Sequence, residues 1–150
     1  MTIAIWTPHL LPQRPYRSMY RCASNEKRLA AAMLMYADRH HDHLPPAENW
    51  SDAIALYIAD SRAFVCPEAR AELSGYAFNR ALSGERIQEI PDPGRTIMLF
   101  EGNLGWNGSG TATSLPDVPR HFGQDVFAFA DGHVKVYHRG EAQGSTWNPE

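Results

Sequence analysis

Cysteine is scarce in this chain: Cys22 and Cys66 are the only two among 150 residues. Two are too few for a disulfide-stapled scaffold and are not spaced as a zinc pair, which leaves one disulfide or two buried thiols. Long apolar runs are missing too. Nothing reaches the roughly 18 to 20 residues that a membrane-spanning helix requires, because Met1 to Trp6 is cut off by Pro8 and polar residues follow. The N-terminus has no basic lead, sustained apolar stretch or small-residue cleavage site, so no secretory signal is expected in the chain as written. Charge of one sign is equally absent. The net charge is -3, the pI is about 6.1 and the basic residues are scattered, which argues against a nucleic-acid partner. The one basic stretch, Arg14, Arg17 and Arg21, reads as a solvated lead-in rather than a lipid contact. Phosphate-cradling glycine motifs are not found. Gly108-Ser109-Gly110 lacks the wider glycine spacing and the strand-to-helix setting of a nucleophile elbow.

What is there suits one folded domain. Hydrophobic residues make up 43% and charged residues 21%, a globular balance, so the 11 glycines and 11 prolines belong to loops. Residues 1–21 carry Pro8, Pro12 and Pro15 without sustained periodicity and are expected to be an extended or poorly ordered lead, with the domain spanning 22–150. A helix is predicted next, with Ser24 or Asn25 as its cap and Glu26 in its first turn. Leu29, Ala30, Met33, Tyr36, Ala37 and His40 form its apolar stripe, Leu34 and Met35 fall off that stripe, and Pro45-Pro46 ends it. Trp50-Ser51-Asp52 opens a short second helix to about Asp60. Ala63 to Val65, Gly75 to Phe78 and Thr96 to Phe100 read as strands, and Gly102 to Pro119 as a long surface loop.

The C-terminal element is the clearest. Val126 to Ala130 and His133 to Tyr137 flank Asp131-Gly132, a dipeptide suited to a two-residue hairpin turn. That register pairs Phe129 with Val134 and Phe127 with Val136. It gathers those four side chains on the buried face and puts His133, Lys135 and Tyr137 on the other.

The stretch Cys22-Ala-Ser-Asn25-Glu-Lys27-Arg-Leu29, then Met33-Leu-Met-Tyr36-Ala-Asp38 and Leu44-Pro45-Pro46, resembles bacterial prepilin-like proteins just after their hydrophobic helix. Their C-terminal signature, a His, nine residues, then Asp-Gly, is matched by His121 and Asp131-Gly132. Trp50, Cys66-Pro67, Gly75-Tyr76-Ala-Phe-Asn79 and Thr96-Ile-Met-Leu also fit, so the resemblance covers roughly Arg21 to Tyr137. It implies an α+β, pilin-like fold in which an N-terminal α-helix packs on an antiparallel β-sheet ending in a hairpin. It also implies a non-enzymatic structural role at the cell envelope, with other pilin-like subunits or type II secretion or type IV pilus machinery as partners. The family's processing site and apolar anchor helix have no counterpart in this sequence, so the expected product is a globular head either separated from its anchor or a truncated relative. Family and compartment together favour a Cys22–Cys66 disulfide.

Other candidates carry less. His40, His41 and His43, with Asp38 and Asp42, are the densest group of metal-ligand types, but adjacent histidines point apart on a helix and basic groups suit its C-terminus. No metal and no cofactor are therefore expected. His121, Asp131 and His133 raise the idea of a hydrolytic site near a sheet edge, yet Asp131 is accounted for by the turn, and His121 by fixing the approach to the hairpin. Trp6, Trp50, Trp106 and Trp147 fall largely in loops. Trp50 serves as a helix-start staple, and Trp106 is the candidate binding residue. Two other roles stay open: an extracellular ligand-binding or adhesive module using the 102–119 loop, and a small metal-dependent enzyme.

Overall fold

A computed structural model describes residues 14–69 and 74–149. Helix α1 runs Arg14–Arg39 and α2 runs Trp50–Ile54; the strands are β1 Tyr76–Asn79, β2 Ile97–Glu101, β3 Ser109–Gly110, β4 Gln124–Phe129 and β5 Val134–His138. They form one sheet in the order β3-β1-β2-β4-β5, antiparallel except for the β1–β3 pair. The architecture is therefore α+β with a mixed sheet, not the purely antiparallel one expected. The parallel pair arises inside the 102–119 segment, which also contains a 3-10 turn at Ala112–Ser114.

Helix α1 begins well before the expected cap. Pro15 lies in its first turn, where a missing N–H costs nothing, so Ser24 and Asn25 are interior and the 14–21 part of the lead is helical. The remainder of that lead, with Trp6, Pro8 and Pro12, lies outside the described residues. The helix stops at Arg39, ahead of the prolines. His41 and Asp42 take left-handed φ values of 58° and 65°, and the Asp42 N–H reaches back to the Ala37 carbonyl at 2.9 Å, which closes the end. Leu29, Ala30, Met33 and Ala37 are buried, Tyr36 is half-buried and His40 is exposed. Ala63 to Val65 is not a strand. The Asp60 carboxylate caps a 3-10 turn at Ser61–Phe64 by accepting from the Arg62 N–H at 3.0 Å, and Ala63 and Phe64, adjacent in sequence, are both buried.

The hairpin forms one residue out of the expected register. Val126 pairs with Val136, Phe127 with Lys135 and Ala128 with Val134, and the Phe129 N–H donates to the His133 carbonyl at 2.9 Å. The turn is therefore three residues long, with Gly132 left-handed at φ 86°. A one-residue slip exchanges the faces of one strand against the other. Val126, Ala128, Val134 and Val136 turn toward α1, whereas Phe127 and Phe129 turn the opposite way with Lys135, Tyr137 and His133. Phe127 and Phe129 are nonetheless buried, because the C-terminal segment covers that outer face. Thr146 pairs with Thr96, and the Trp147 ring meets Phe100 at 5.0 Å and Phe127 at 6.1 Å, edge to face. His133 stacks on Phe129 at 4.3 Å.

The turn also touches the helix. Lys27 Nζ donates to the Gly132 carbonyl at 2.6 Å, and a Cβ at Gly132 would lie 2.9 Å from Leu34 Cδ1. This explains Leu34, one of the two residues off the stripe. Met35 stays 49% exposed beside Tyr57 and Ile58. Replacing Gly132 with alanine is predicted to lower stability by about 1–2 kcal/mol for the left-handed backbone alone, and further for the Leu34 contact. Gly140, at φ 89° with nothing within 4 Å of a Cβ, is the control. Urea midpoints should place G132A below G140A, and equal losses would remove Leu34 from the explanation.

Candidate functional site

The chemistry-bearing residues gather where α1 crosses the sheet, and an irregularity in β2 is responsible. Ile97 pairs with Phe129 but Leu99 pairs with Ala128, so one extra residue sits in β2. Met98 and Leu99 both join the helix-side core, Phe100 turns outward, and Glu101, opposite Tyr76, faces the helix instead of solvent. Regular alternation would have pointed Glu101 outward.

Glu101 is 1% exposed and is met from several segments. His121 Nε2 lies 2.8 Å from its Oε1, the Val126 N–H donates to its Oε2 at 3.2 Å, and Arg120 Nη1 stands 3.9 Å from Oε1. Arg120 also donates to the carbonyls of Gly75 and Gly102, at 2.7 and 2.8 Å, and to Asn103 Oδ1, which pins the start of β1 to the end of β2. Cys66 Sγ is 3.5 Å from Glu101 Oε1 and 3.9 Å from His121 Nε2. Cys66 is joined to Cys22 of α1 in a disulfide with a Cα separation of 5.4 Å. Closing a loop across 44 residues contributes about 4 kcal/mol on the chain-entropy account. Backbone crowding enforces the geometry, since a Cβ on Gly75 would sit 2.3 Å from Cys66 Cβ and 2.6 Å from its backbone nitrogen.

Further along α1, Asn25 donates its amide to the Val65 carbonyl and to the Tyr76 hydroxyl, both at 3.1 Å. Burial pushes the Tyr76 phenol far above its usual range. Glu26 is fully buried, and its oxygens lie beside the Ala128 backbone with no hydrogen bond of ordinary geometry. Burial first, and the Glu101 charge second, push its carboxyl well above the ordinary range, favouring the protonated form.

The expected site residues separate. His121 and the two cysteines belong to this cluster, and His121 holds a buried carboxylate rather than loop backbone. Asp131 lies beyond the far end of β4, with roughly 20 Å of strand between, and accepts from the His133 N–H at 3.0 Å and faces its Nδ1 at 2.5 Å. Partial burial pushes the Asp131 carboxyl up, but these two bonds outweigh it and hold it below the usual range. His40 turns its Nδ1 to the Tyr36 carbonyl and stacks on that ring, whereas His43 turns to the Gly84 carbonyl, both at 2.7 Å. Among the described residues, neither joins a group of three or more metal-ligand side chains. Trp106 is half exposed, but its indole donates to Asp52 at 2.8 Å and its ring packs on Phe64 at 4.7 Å. Trp50 is core, with its indole donating to the Gly108 carbonyl.

Glu101, Glu26 and Arg120 were missed as site residues. Glu26 lies at helical spacing with Cys22, Leu29 and Met33, so the pattern places it on the buried stripe rather than at a helix start. The bulge that turns Glu101 leaves no mark in the sequence.

No family model, curated protein or solved structure matches this chain.

Glu26 gives the site a pH signature. In the unfolded chain its proton leaves near pH 4.5, whereas the folded state keeps it to higher pH. This contribution is thus fully present below that pH and is lost as pH rises toward the folded value. The stability of the wild type relative to Glu26→Gln should fall above pH 4.5, with a slope of up to about 1.4 kcal/mol per pH unit. Parallel urea-derived stability curves for the two proteins would rule out a perturbed Glu26.

Proposed function

We propose that this chain is a non-enzymatic structural subunit, the globular head of a pilin-like or pseudopilin-like protein working at the cell envelope. The observation that carries the reading is an exposed aromatic patch at the start of a disulfide-locked helix. Tyr16 and Tyr20, one turn apart, are 60% and 68% exposed, and Phe122, 65% exposed, stacks on Tyr16 at 6.3 Å. Exposed aromatics clustered on a rigid element are the usual material of a protein contact. A filament subunit meets its neighbours through such a helix. The buried disulfide suits an oxidising compartment, and no described helix is long and apolar enough to cross a membrane. Both features agree with a periplasmic or extracellular head.

Subunit packing is tested in the source cell with the full gene product carrying a photo-crosslinking phenylalanine analogue at position 16 or 20. Light is expected to produce a ladder of multimers of this chain in the envelope or secreted fraction, and no ladder from an analogue at exposed Leu56. Only monomer, or a protein confined to the cytosol, would overturn the proposal.

A further inference from the structure

The disulfide and the Glu101–His121 pair each have a sufficient role alone, but neither explains why they are packed together. Removing a carboxylate and an imidazole from water costs several kcal/mol, and apolar side chains would fill the same space more cheaply. Among the described residues, one group of three or more cysteine, histidine or acidic side chains has its ligand atoms close enough to share an ion. It comprises Cys22, Cys66, Glu101 and His121, all within 4.8 Å of one another and all buried. The four come from α1, the segment ahead of the 70s, the end of β2 and the approach to β4, so only the folded chain assembles them.

From this geometry we infer that reduction of the Cys22–Cys66 bond converts the cluster into a tetrahedral site for zinc or a similar borderline dication. Its ligands are Cys22 Sγ, Cys66 Sγ, His121 Nε2 and Glu101 Oε1. Zinc bonds of about 2.3 Å to sulfur and about 2.0–2.1 Å to nitrogen and oxygen require donor separations of about 3.8 Å for S–S, about 3.6 Å for S–N or S–O and about 3.4 Å for N–O. Two separations already stand near those values, 3.5 Å for Cys66 Sγ to Glu101 Oε1 and 3.9 Å for Cys66 Sγ to His121 Nε2, whereas the 2.8 Å between His121 Nε2 and Glu101 Oε1 is a hydrogen bond that opens by about 0.6 Å as the ion enters. The sulfur–sulfur bond is what keeps the site shut.

Charge and support agree. Two thiolates and one carboxylate exceed a dication by one negative charge, which the Arg120 guanidinium beside Glu101 balances. The Val126 N–H holds Glu101 Oε2 and leaves Oε1 for the ion. The conversion needs a dithiol reductant, small-molecule or protein. The dithiol passes two electrons and two protons to the S–S bond and becomes a disulfide itself. Both thiol protons then leave to solvent as the ion binds, and His121 ligates through Nε2 as its Nδ1-protonated tautomer.

The test uses the full chain, reduced with excess dithiothreitol, freed of it without oxygen and titrated with Co²⁺, beside the oxidised protein. One cobalt per reduced chain is expected, with a thiolate-to-cobalt charge-transfer band and intense tetrahedral d–d bands in the red, and none for the oxidised form. His121→Gln and Glu101→Gln should each weaken binding by about tenfold or more, and Zn²⁺ should displace the cobalt. A reduced chain that stays folded yet takes up no cobalt overturns the proposal, as does binding indifferent to both substitutions. Should reduction unfold the chain, recovery of its far-ultraviolet circular dichroism on adding Zn²⁺ supports the site, and no recovery overturns it.

Discussion

A carboxylate removed from water has to be met by hydrogen bonds or opposite charge, and Glu101 places that demand at the crossing of α1 and the sheet. The answer comes from residues far apart in sequence, His121, Arg120 and the Val126 amide, with the Cys66 sulfur packed against the carboxylate. Each of these in turn fixes a segment. Arg120 binds β1 to the end of β2, His121 sets the approach to β4, and Cys66 ties the helix to the loop before β1 through Cys22. The polar cluster thus specifies where the elements sit, while the surrounding apolar contacts provide most of the driving force. Leu29, Met33, Val126 and Ala128 are interchangeable with other apolar side chains to a degree that a buried, bonded carboxylate is not.

The sheet is covered on both faces, and this reshapes its strands. Toward α1 lie Val126, Ala128, Tyr76 and Phe78; away from it lie Ile97, Phe100, Phe127 and Phe129 under Trp147. A sheet with one solvated face has alternating apolar and polar positions, whereas one buried on both sides reads as a continuous apolar run. The run from Val126 to Ala130 is of the second kind, and the five residues are all buried. The C-terminal segment, held by the Asn79 amide to the Trp147 carbonyl at 2.7 Å, is a second cover rather than a tail.

These two facts separate what was legible in the sequence from what was not. Local signals carried the helix stripe, four of the strands, the Asp131-Gly132 turn and the short helix at Trp50, because periodicity and turn chemistry act over a few residues. The hairpin register slipped because Asp-Gly serves both two-residue and three-residue turns, and because valine and phenylalanine are apolar on either face. Only knowledge that Trp147 returns to the outer face would have separated the alternatives. Ala63 to Val65 looked like a strand because a short apolar run does not distinguish one from a 3-10 turn capped by Asp60. In the site, the pairing of Cys22 with Cys66 was expected from the family resemblance, and His121 was singled out without its true partner. Glu101 was invisible, since its burial depends on the one-residue bulge in β2.

The central claim is that α1 is locked to the sheet by a closed Cys22–Cys66 bond seated against Glu101 and His121. Alkylation of the unreduced protein in strong denaturant, read by intact mass, tests it most directly. The account predicts no thiol adduct until reductant is added and two afterwards. Two adducts before reduction would contradict it, leaving a pair of buried thiols where the lock is placed.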